Sequence, residues 1–484
     1  MANFSTLEIG KKALIAQKFG LDVTANNIAN VNTPGYSRRN AVLSEDTSVQ
    51  RNGFFLGNSV VVKHIQSFRS EYYDREIRSL TSRNSSFDIE SQLLKRIETV
   101  LGEPSGDDLD TMITDFFKAF EQAAQNPESV TFRAYIIDKG AELTGRFNRI
   151  SSDLNDLRRE AQTSLNSSVK SVNSLLKDIS DLNRQASYNN NTSGDSSQQY
   201  IDERELKLQE LSKFIDIKVT NNQDSTINVF VNGINLVSGI YYSELGIDDT
   251  SNEGLISLSK TDISNGSLTE LNVQSGEIFS NLKVYNELLN PNTSNGVYSI
   301  SSQFNDFTKE FANKINNALL SGYGLNDNDL SAPPNGRLFF YPQDTSNLNA
   351  GNISINPFFL TNPSELPLSS LPAEPGNTDI ARLVASLVDD KTFSNNLDYK
   401  NLTPIEYYSL FVSKVGNYAR ESLNGLENSK LAESQLSNMR ESIMGVNLDE
   451  EAVNLIKYQK GFEAASRIIN VTNELLGTLI NLGK

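Results

Sequence analysis

The sequence contains no cysteine, no tryptophan and only one histidine among its 484 residues. The absence of cysteine excludes disulfides, thiol nucleophiles and cysteine-ligated zinc, and it leaves the redox compartment open. The single histidine, His64, lies in an alternating apolar stretch that predicts a short strand. A catalytic triad would require this one residue, and it has no second histidine or cysteine with which to hold a metal. We therefore predict no catalytic, metal or cofactor site, and no enzyme.

Basic residues are also scarce relative to acidic ones. The 43 lysines and arginines against 60 aspartates and glutamates give a net charge of -17, without a concentrated basic patch. Such a surface repels a phosphate backbone and anionic lipid, so we predict neither a nucleic-acid nor a membrane partner. The N-terminus alternates apolar and charged residues where a secretory signal has an unbroken apolar run. Export, if it occurs, is expected without a cleaved signal peptide.

Apolar residues recur at intervals of seven near both ends of the chain. The N-terminal set is Leu7, Leu14, Leu21 and Ile28, and the C-terminal set is Leu455, Phe462, Ile469 and Leu476. A narrow stripe of this kind is typical of helices in coiled coils. We predict that the two terminal helices pair as a coiled-coil-like base and that these eight residues pack between subunits. The alternative is that the stripes only close a bundle within one chain.

Helical spacing of apolar residues continues inward from the first stripe. It predicts long helices over 73–101 and 143–182, with a shorter helix carrying Phe116 and Phe120 between them. The polar run at 189–197 cannot bury a face, so we interpret it as a loop or boundary. The segment before this run is therefore predicted to be helical.

Beyond that boundary the spacing of apolar residues changes from a helical to a strand pattern. Alternating apolar residues at 227–231 precede Asn232-Gly233, a strong signal for a β-hairpin, and further strand texture occurs at 255–258 and 271–279. Eight of the thirteen prolines then fall within 333–375, where we expect little regular structure. These stretches predict a β-rich region inside a helical frame.

The whole pattern predicts an α+β multidomain protein with helices outside and strands inside. We divide it into a terminal helical base (1–45 with 446–484), a helical-bundle domain (46–185 with 385–445), and an inserted β-rich outer domain (186–384) that contains the proline-rich segment 333–375.

A specific local sequence follows the first stripe. The string ALIAQKFGLDVTANNIANVNTPGYSR resembles the N-terminal signature shared by flagellar rod, hook and hook-associated proteins. Asparagines can bond exposed backbone groups where the helix ends, proline forbids its continuation, and glycine permits a positive φ. The residues assigned to this signature turn are Asn26, Asn27, Asn30, Asn32, Pro34, Gly35 and Tyr36.

The C-terminal string NLDEEAVNLIKYQKGFEAASRIINVTNELLGTLINL resembles the last helix of the same axial proteins. In the interior, GDDLDTMITDFFKAFEQAAQNPES, INVFVNGINLVSG, KINNALLSGYGLN and GRLFF resemble the hook-associated protein 1 family, whereas rod and hook proteins lack this long helical insert. The resemblance covers both ends closely and the interior in patches.

This resemblance implies a structural subunit that joins hook to filament as a short axial zone. The partners it implies are further copies of the chain, the hook protein, hook-associated protein 3 on the filament side, and an export chaperone on the C-terminal helix. It also implies an extracellular position at the hook–filament junction, reached through the flagellar type III apparatus. Two alternatives stay open: another axial protein such as hook or distal rod, and more remotely a surface adhesin or carbohydrate-binding module.

Overall fold

The fold is that of a computed structural model, which describes most of the chain between residues 2 and 482. The described residues are 2–33, 35–46, 49–51, 54–56, 59–102, 108–193, 197–249, 255–261, 268–292, 298–328, 337–344, 346–393 and 399–482. Pro34 of the predicted turn and residues 333–336 of the proline-rich segment lie outside them.

Long helices dominate the described residues. They are α1 (Ala2–Ala29), α2 (Glu71–Leu101), α3 (Leu109–Gln125), α4 (Val130–Ser193), α5 (Ser197–Phe214), α6 (Glu277–Lys283), α7 (Ile300–Leu319), α8 (Pro357–Thr361), α9 (Asp379–Ser386), α10 (Pro404–Met444) and α11 (Leu448–Leu482), with shorter helical turns at Val284–Leu288, Pro363–Glu365 and Leu387–Asp389. No helix among them is both long and apolar enough to span a membrane.

The strands form small antiparallel sheets. They are β1 (Arg39–Glu45), β2 (Val49–Arg51), β3 (Phe54–Leu56), β4 (Val60–Ser67), β5 (Lys218–Asn221), β6 (Ile227–Val231), β7 (Ile234–Ser238), β8 (Tyr241–Tyr242), β9 (Leu245–Asp248), β10 (Ser257–Thr261), β11 (Leu268–Glu270), β12 (Phe340–Pro342) and β13 (Ile353–Ile355). Their orders are β1-β4, β2-β3, β5-β6-β7-β8, β11-β10-β9 and β12-β13. The predicted α+β multidomain class is confirmed.

A first hydrophobic core gathers aromatic rings from helices far apart in the sequence. Phe116 of α3 lies 6.0 Å, ring to ring, from Phe311 of α7, and Phe147 of α4 lies 5.8 Å from Phe304 of α7. All four rings are buried. Aromatic pairs at such distances add to the free energy of burying their large apolar surfaces. The first core therefore fixes the helical region around α3, α4 and α7.

A second core lies farther along α4. There Leu176 and Ile179 of α4 pack with Leu208 and Leu211 of α5 and with the inner faces of the small sheets. Helix α4 has 64 residues, so at ~1.5 Å per residue it extends roughly 96 Å and passes from one core to the other. One helix thus connects the two cores.

The β6-β7 hairpin confirms its sequence signal. Asn232 and Gly233 have φ values of 45° and 84°, the positive values that a two-residue type I′ turn requires. Val231 pairs with Ile234 across the turn. His64 lies in β4, as its alternating neighbours predicted.

The single β-rich outer domain expected over 186–384 is divided in the structure. Its strands β5 to β10 contribute to the second core, but α7, β12-β13 and α8 contribute to the first core beside α3 and α10. Residues beyond 300 join the first core because the apolar face of α7 packs against the aromatic face of α3.

Two local predictions were wrong. The expected strand at 271–279 is a short coil followed by α6, because β11 ends at Glu270 and the chain turns at Gly276, whose φ is 96°. The proline-rich segment is more regular than expected, with the β12-β13 pair and α8 within it. Pro357 occupies the first turn of α8, where its missing N–H has no helical partner to lose.

Candidate functional site: the terminal helix pair and the signature turn

Helices α1 and α11 pack side by side and antiparallel, and we call them the terminal helix pair. A Cβ added at Gly10 would lie 2.9 Å from Cγ1 of Ile469, and one added at Gly20 would lie 2.5 Å from Cε1 of Tyr458. The missing side chains of both glycines allow the two backbones to approach closely. Because the partners of Gly10 and Gly20 run in opposite order along α11, the pair is antiparallel.

The eight predicted packing residues all lie on this pair, and every one of them is half-buried in the single chain. The most deeply buried side chains of the pair are smaller or polar ones, namely Ala16, Val23, Thr24, Asn27, Glu451, Ala465 and Thr472. The contact line between the helices therefore runs through small and polar residues, with Ile469 of the heptad stripe against Gly10. The contact line between the two helices was indicated in the sequence by the glycines and alanines between the leucines, because small residues permit close approach.

Further apolar side chains of the pair are more than one-third exposed. They are Ile15 on α1 and Leu448, Val453, Ile456, Ile468, Val471, Leu475 and Ile480 on α11. Scattered exposed apolar residues are ordinary on protein surfaces, but a concentration along one helix marks an interaction surface. Together with the half-buried stripe, they give the pair an apolar exterior.

The signature turn begins where α1 ends. Asn30 donates through its side-chain nitrogen to the backbone oxygen of Asn26 at 3.0 Å, and the backbone N–H of Thr33 donates to the oxygen of Asn30 at 2.9 Å. The Asn26 oxygen also accepts the backbone N–H of Asn30 at 3.0 Å, so the side chain gives it a second donor, while Thr33 satisfies the carbonyl of Asn30 beyond the helix end. Asn26 and Asn32 themselves are exposed.

Asn27 is the centre of the turn and is only 1% exposed. Its side-chain nitrogen donates to the backbone oxygen of Arg39 at 2.8 Å and to Oε2 of Glu451 at 3.0 Å. Its oxygen accepts from the hydroxyl of Tyr36 at 2.8 Å and from the backbone N–H of Arg39 at 3.1 Å. Two donors and two acceptors exhaust the capacity of an amide side chain. Burial raises the pKa of Tyr36, which keeps its hydroxyl a donor.

Glu451 brings the start of α11 into the same network. The carboxylate is 2% exposed and accepts from Nε of Arg38 at 2.9 Å, while Nη1 of Arg38 lies 2.8 Å from Oε2 of Glu450. The Arg38 guanidinium also lies 5.4 Å from the centre of the Phe68 ring. A buried carboxylate is tolerated only when it is paired in this way. Glu451 is thus an ion-pair partner, beyond its favourable place in the first turn of a helix.

The turn also contacts α5, an element of the interior. Asp202 accepts from Oγ of Ser37 at 3.0 Å and from Nη2 of Arg39 at 2.6 Å. Gly35 has a φ of 79°, and a Cβ there would lie 2.6 Å from Cγ of Leu206. Glycine is required at this point both by its conformation and by the close approach. The signature turn therefore binds α11 on one side and α5 on the other.

A cleft of about 380 Å³ lies between the turn, the first turns of α2, the middle of α5 and the end of α10. Its charged lining residues are Arg69, Asp74, Arg78, Glu205, Arg440 and Glu441. Burial raises the pKa of Asp74 against the opposing effect of the arginines. Since acids and bases are equal in number, the cleft carries no strong net charge. No group of metal-ligating side chains occurs among the described residues.

Sequence reasoning missed Arg38, Arg39, Asp202 and Glu451 as members of this site. Asp202 lies more than 160 positions from its partners, so no local pattern reveals the contact. The only available signal was the pair of arginines directly after the recognised turn.

We expect Asn27→Ala to weaken the docking of the two helices strongly. The change removes the side chain that bonds both backbone groups of Arg39 and takes one donor from buried Glu451, which keeps only its contact with Arg38. We expect a cost of about 2–3 kcal/mol. Hydrogen exchange of α1 and α11 amides measures the loss. Asn26→Ala, one position earlier and exposed, should change protection by less than ~0.5 kcal/mol. Equal effects of the two variants would contradict the central role of Asn27.

Comparisons with known proteins match the two ends of the chain separately. Residues 7–36 match the family model described as flagella basal body rod protein, and residues 441–482 match that of the flagellar basal body rod FlgEFG protein C-terminal. These ranges contain the signature turn and the whole of α11, the parts that the fold brings together. The terminal pair and its turn therefore define a flagellar axial protein of the rod and hook class.

A third match covers the interior. Residues 94–337, just over half of the chain, match the family model of the flagellar hook-associated protein FlgK helical domain. The chain therefore belongs to the FlgK family of flagellar hook-associated proteins and is a structural subunit of the flagellum at the junction between hook and filament. The resemblance read from the sequence is confirmed.

Relatives named flagellar hook-associated protein 1 align along nearly their whole length. The one from Bacillus subtilis (strain 168) is 25% identical over 511 residues, covering 99% of this chain and 98% of its own. The one from Escherichia coli (strain K12) is 22% identical over 564 residues, covering 99% and 100%. A solved structure titled the flagellar hook junction protein FlgK from Burkholderia pseudomallei is 13% identical, with a TM-score of 0.63 over 76% of this chain and 100% of that chain, and supports the same fold.

Proposed function

We propose that copies of this chain join hook to filament as a short axial zone by packing their terminal helix pairs against one another. The observation that carries the proposal is the apolar exterior of the pair, where the heptad residues stay half-exposed and α11 presents further exposed apolar side chains. Covering that exterior with a neighbouring copy releases free energy at about 25 cal/mol per Å². The eight heptad residues are the proposed subunit-packing surface.

The proposed domains follow the packing. Residues 1–45 with 446–484 form the axial base, and α2, α3, α7, α10 and the first half of α4 form the helical domain. The second core, around α5 and the strands β5 to β11, forms the outer domain. The contributions of α7 and β12-β13 to the first core support this reduced outer domain.

The chain assembles into the axial structure with hook components. We propose that the hook protein lies on one side of the zone and hook-associated protein 3 on the filament side. Before assembly the exposed apolar residues of α11 offer a surface for an export chaperone, and export would proceed through the flagellar type III apparatus to an extracellular site. We propose a structural and not a catalytic role, because the family to which the chain belongs is one of structural flagellar proteins.

Immuno-electron microscopy of hook-basal bodies, with antibody to the outer domain, tests this position directly. We expect a narrow band at the distal end of the hook. A deletion strain should make hooks but shed flagellin into the medium. Label along the hook or rod, or a strain without hooks, would instead favour a hook or distal-rod function. Complete absence of label would favour the alternative function as a surface adhesin.

A further inference from the structure

The terminal helix pair and the β1-β4 hairpin form one unit. Lys12 of α1 forms a 2.6 Å ion pair with Asp46, which follows β1. Ser59, just before β4, donates its hydroxyl to the backbone oxygen of Ile9 at 3.0 Å. The hairpin is therefore attached along α1 and should move with it.

This terminal unit continues into the rest of the chain at two short joints. One joint is residues 68–70, between β4 and α2, and the other is residues 445–447, between α10 and α11. Beyond the joints, α2 and α10 form a second antiparallel pair, in which Glu433 accepts from Thr81 at 2.6 Å and from Asn84 at 2.5 Å. Two stiff helix pairs thus meet end to end through three-residue connections.

The angle between the two units is not filled by a hydrophobic core. The cleft of about 380 Å³ lies there, with its walls supplied by both units. Neither hydrophobic core includes residues of the terminal unit. Space of this kind, beside short connections, permits rotation of one packed unit against another.

The polar contacts between the terminal unit and α5 converge on one carboxylate, beside the packing of Leu206 against Gly35. Asp202 of α5, 8% exposed, accepts from Ser37 and from Arg39 of the terminal unit. Its Oδ1 also lies 3.7 Å from Nη1 of Arg69, in the first joint. Hydrogen bonds between charged groups are strong when shielded from water but depend on correct geometry. A contact of this type holds one angle firmly and is lost as a whole when the angle changes.

We propose that the two joints form a hinge and that Asp202 is its latch. With the latch closed, the terminal helix pair has one direction relative to α2 and α10. With the latch open, it swings as a unit, while the contacts inside each unit remain. The subunit can thereby adjust its axial base to neighbours of different geometry without repacking either core.

The absence of cysteine allows the hinge to be measured in the full chain with paired spin labels. Labels at Lys430→Cys on α10 and Lys457→Cys on α11, both exposed positions, report across the joint. Labels at Lys11→Cys and Lys457→Cys report within the terminal pair. We expect Asp202→Asn to widen the distance distribution across the joint at least twofold and to leave the distribution within the pair unchanged.

Two further variants keep the test decisive. Arg39→Gln should reproduce the effect of Asp202→Asn, and the double variant should add little, because both changes open one latch. Glu203→Gln, at the exposed neighbour of Asp202, should match the parent chain. An unchanged distribution across the joint in both latch variants would overturn the proposal. So would equal widening within the terminal pair, which would show that Asp202 maintains the fold of the pair and not its direction.

Discussion

Ile469→Asp and Leu14→Asp are each expected to abolish incorporation of the subunit and therefore filament growth. Both side chains are half-buried in the single chain and belong to the proposed packing surface. A neighbouring copy would have to bury the new carboxylate without a partner, at a cost of several kcal/mol for every subunit in the zone. Complementation of a deletion strain, scored by motility and by electron microscopy of filaments, measures the loss.

A third variant separates packing between subunits from packing within one chain. Ile469 lies against Gly10, so its replacement also disturbs the terminal pair itself. Val471 is 54% exposed, and Val471→Asp should leave hydrogen exchange of the pair unchanged while still preventing incorporation. Asn470→Asp, exposed on the same helix, serves as the charge control and should build normal filaments. Normal filaments with Val471→Asp would contradict the proposal that the exposed apolar side chains of α11 pack against a neighbouring copy.

Local patterns predicted the elements of this fold well, because the responsible forces act between near neighbours. The heptads of α1 and α11 and the helical spacing of apolar residues in α2, α3 and α4 reflect apolar faces that any helical partner would cover. The Asn232-Gly233 turn was equally predictable, since its positive φ values belong to the residues themselves. Such features need no knowledge of the tertiary contacts.

The assembly of those elements was less predictable. Aromatic contacts between α3 and α7 drew residues beyond 300 into the helical core, and nothing in the local sequence of α7 indicated that partner. The same limit applies to the candidate site. The turn residues were recognised, but the role of Asn27 as a four-bond hub depends on Glu451 at the other end of the chain. Long-range pairing of polar groups leaves no periodic signal.

The contact line of the terminal pair could not be read from the stripe alone. The heptad residues were predicted to pack between subunits, and within the chain the closest approach occurs at Gly10 and Gly20. A close antiparallel contact needs small residues on that line, and the heptad leucines keep part of their surface exposed. The heptad residues are thereby left available for a second partner.

Gly20→Ala is expected to loosen the terminal pair even though it improves the helix. In an isolated helix the change is favourable by roughly 1 kcal/mol. In this pair, however, the added methyl would lie 2.5 Å from Cε1 and 2.6 Å from Cδ1 of Tyr458. Burial raises the pKa of that tyrosine, in keeping with a ring held between the helices. We expect a net loss of about 1–3 kcal/mol of protection in α1 and α11, measured by hydrogen exchange.

Gly477→Ala provides the matched control for this change, because a Cβ at Gly477 meets no atom within 4 Å. It should raise or preserve the protection of α11 through helix propensity alone. Tyr458→Ala should restore part of the protection lost in Gly20→Ala, since it removes the ring that the methyl strikes. If Gly20→Ala instead behaved like Gly477→Ala, the helices would not approach as closely as the structure places them. Such a result would favour the alternative in which the heptad stripe only closes the pair within one chain.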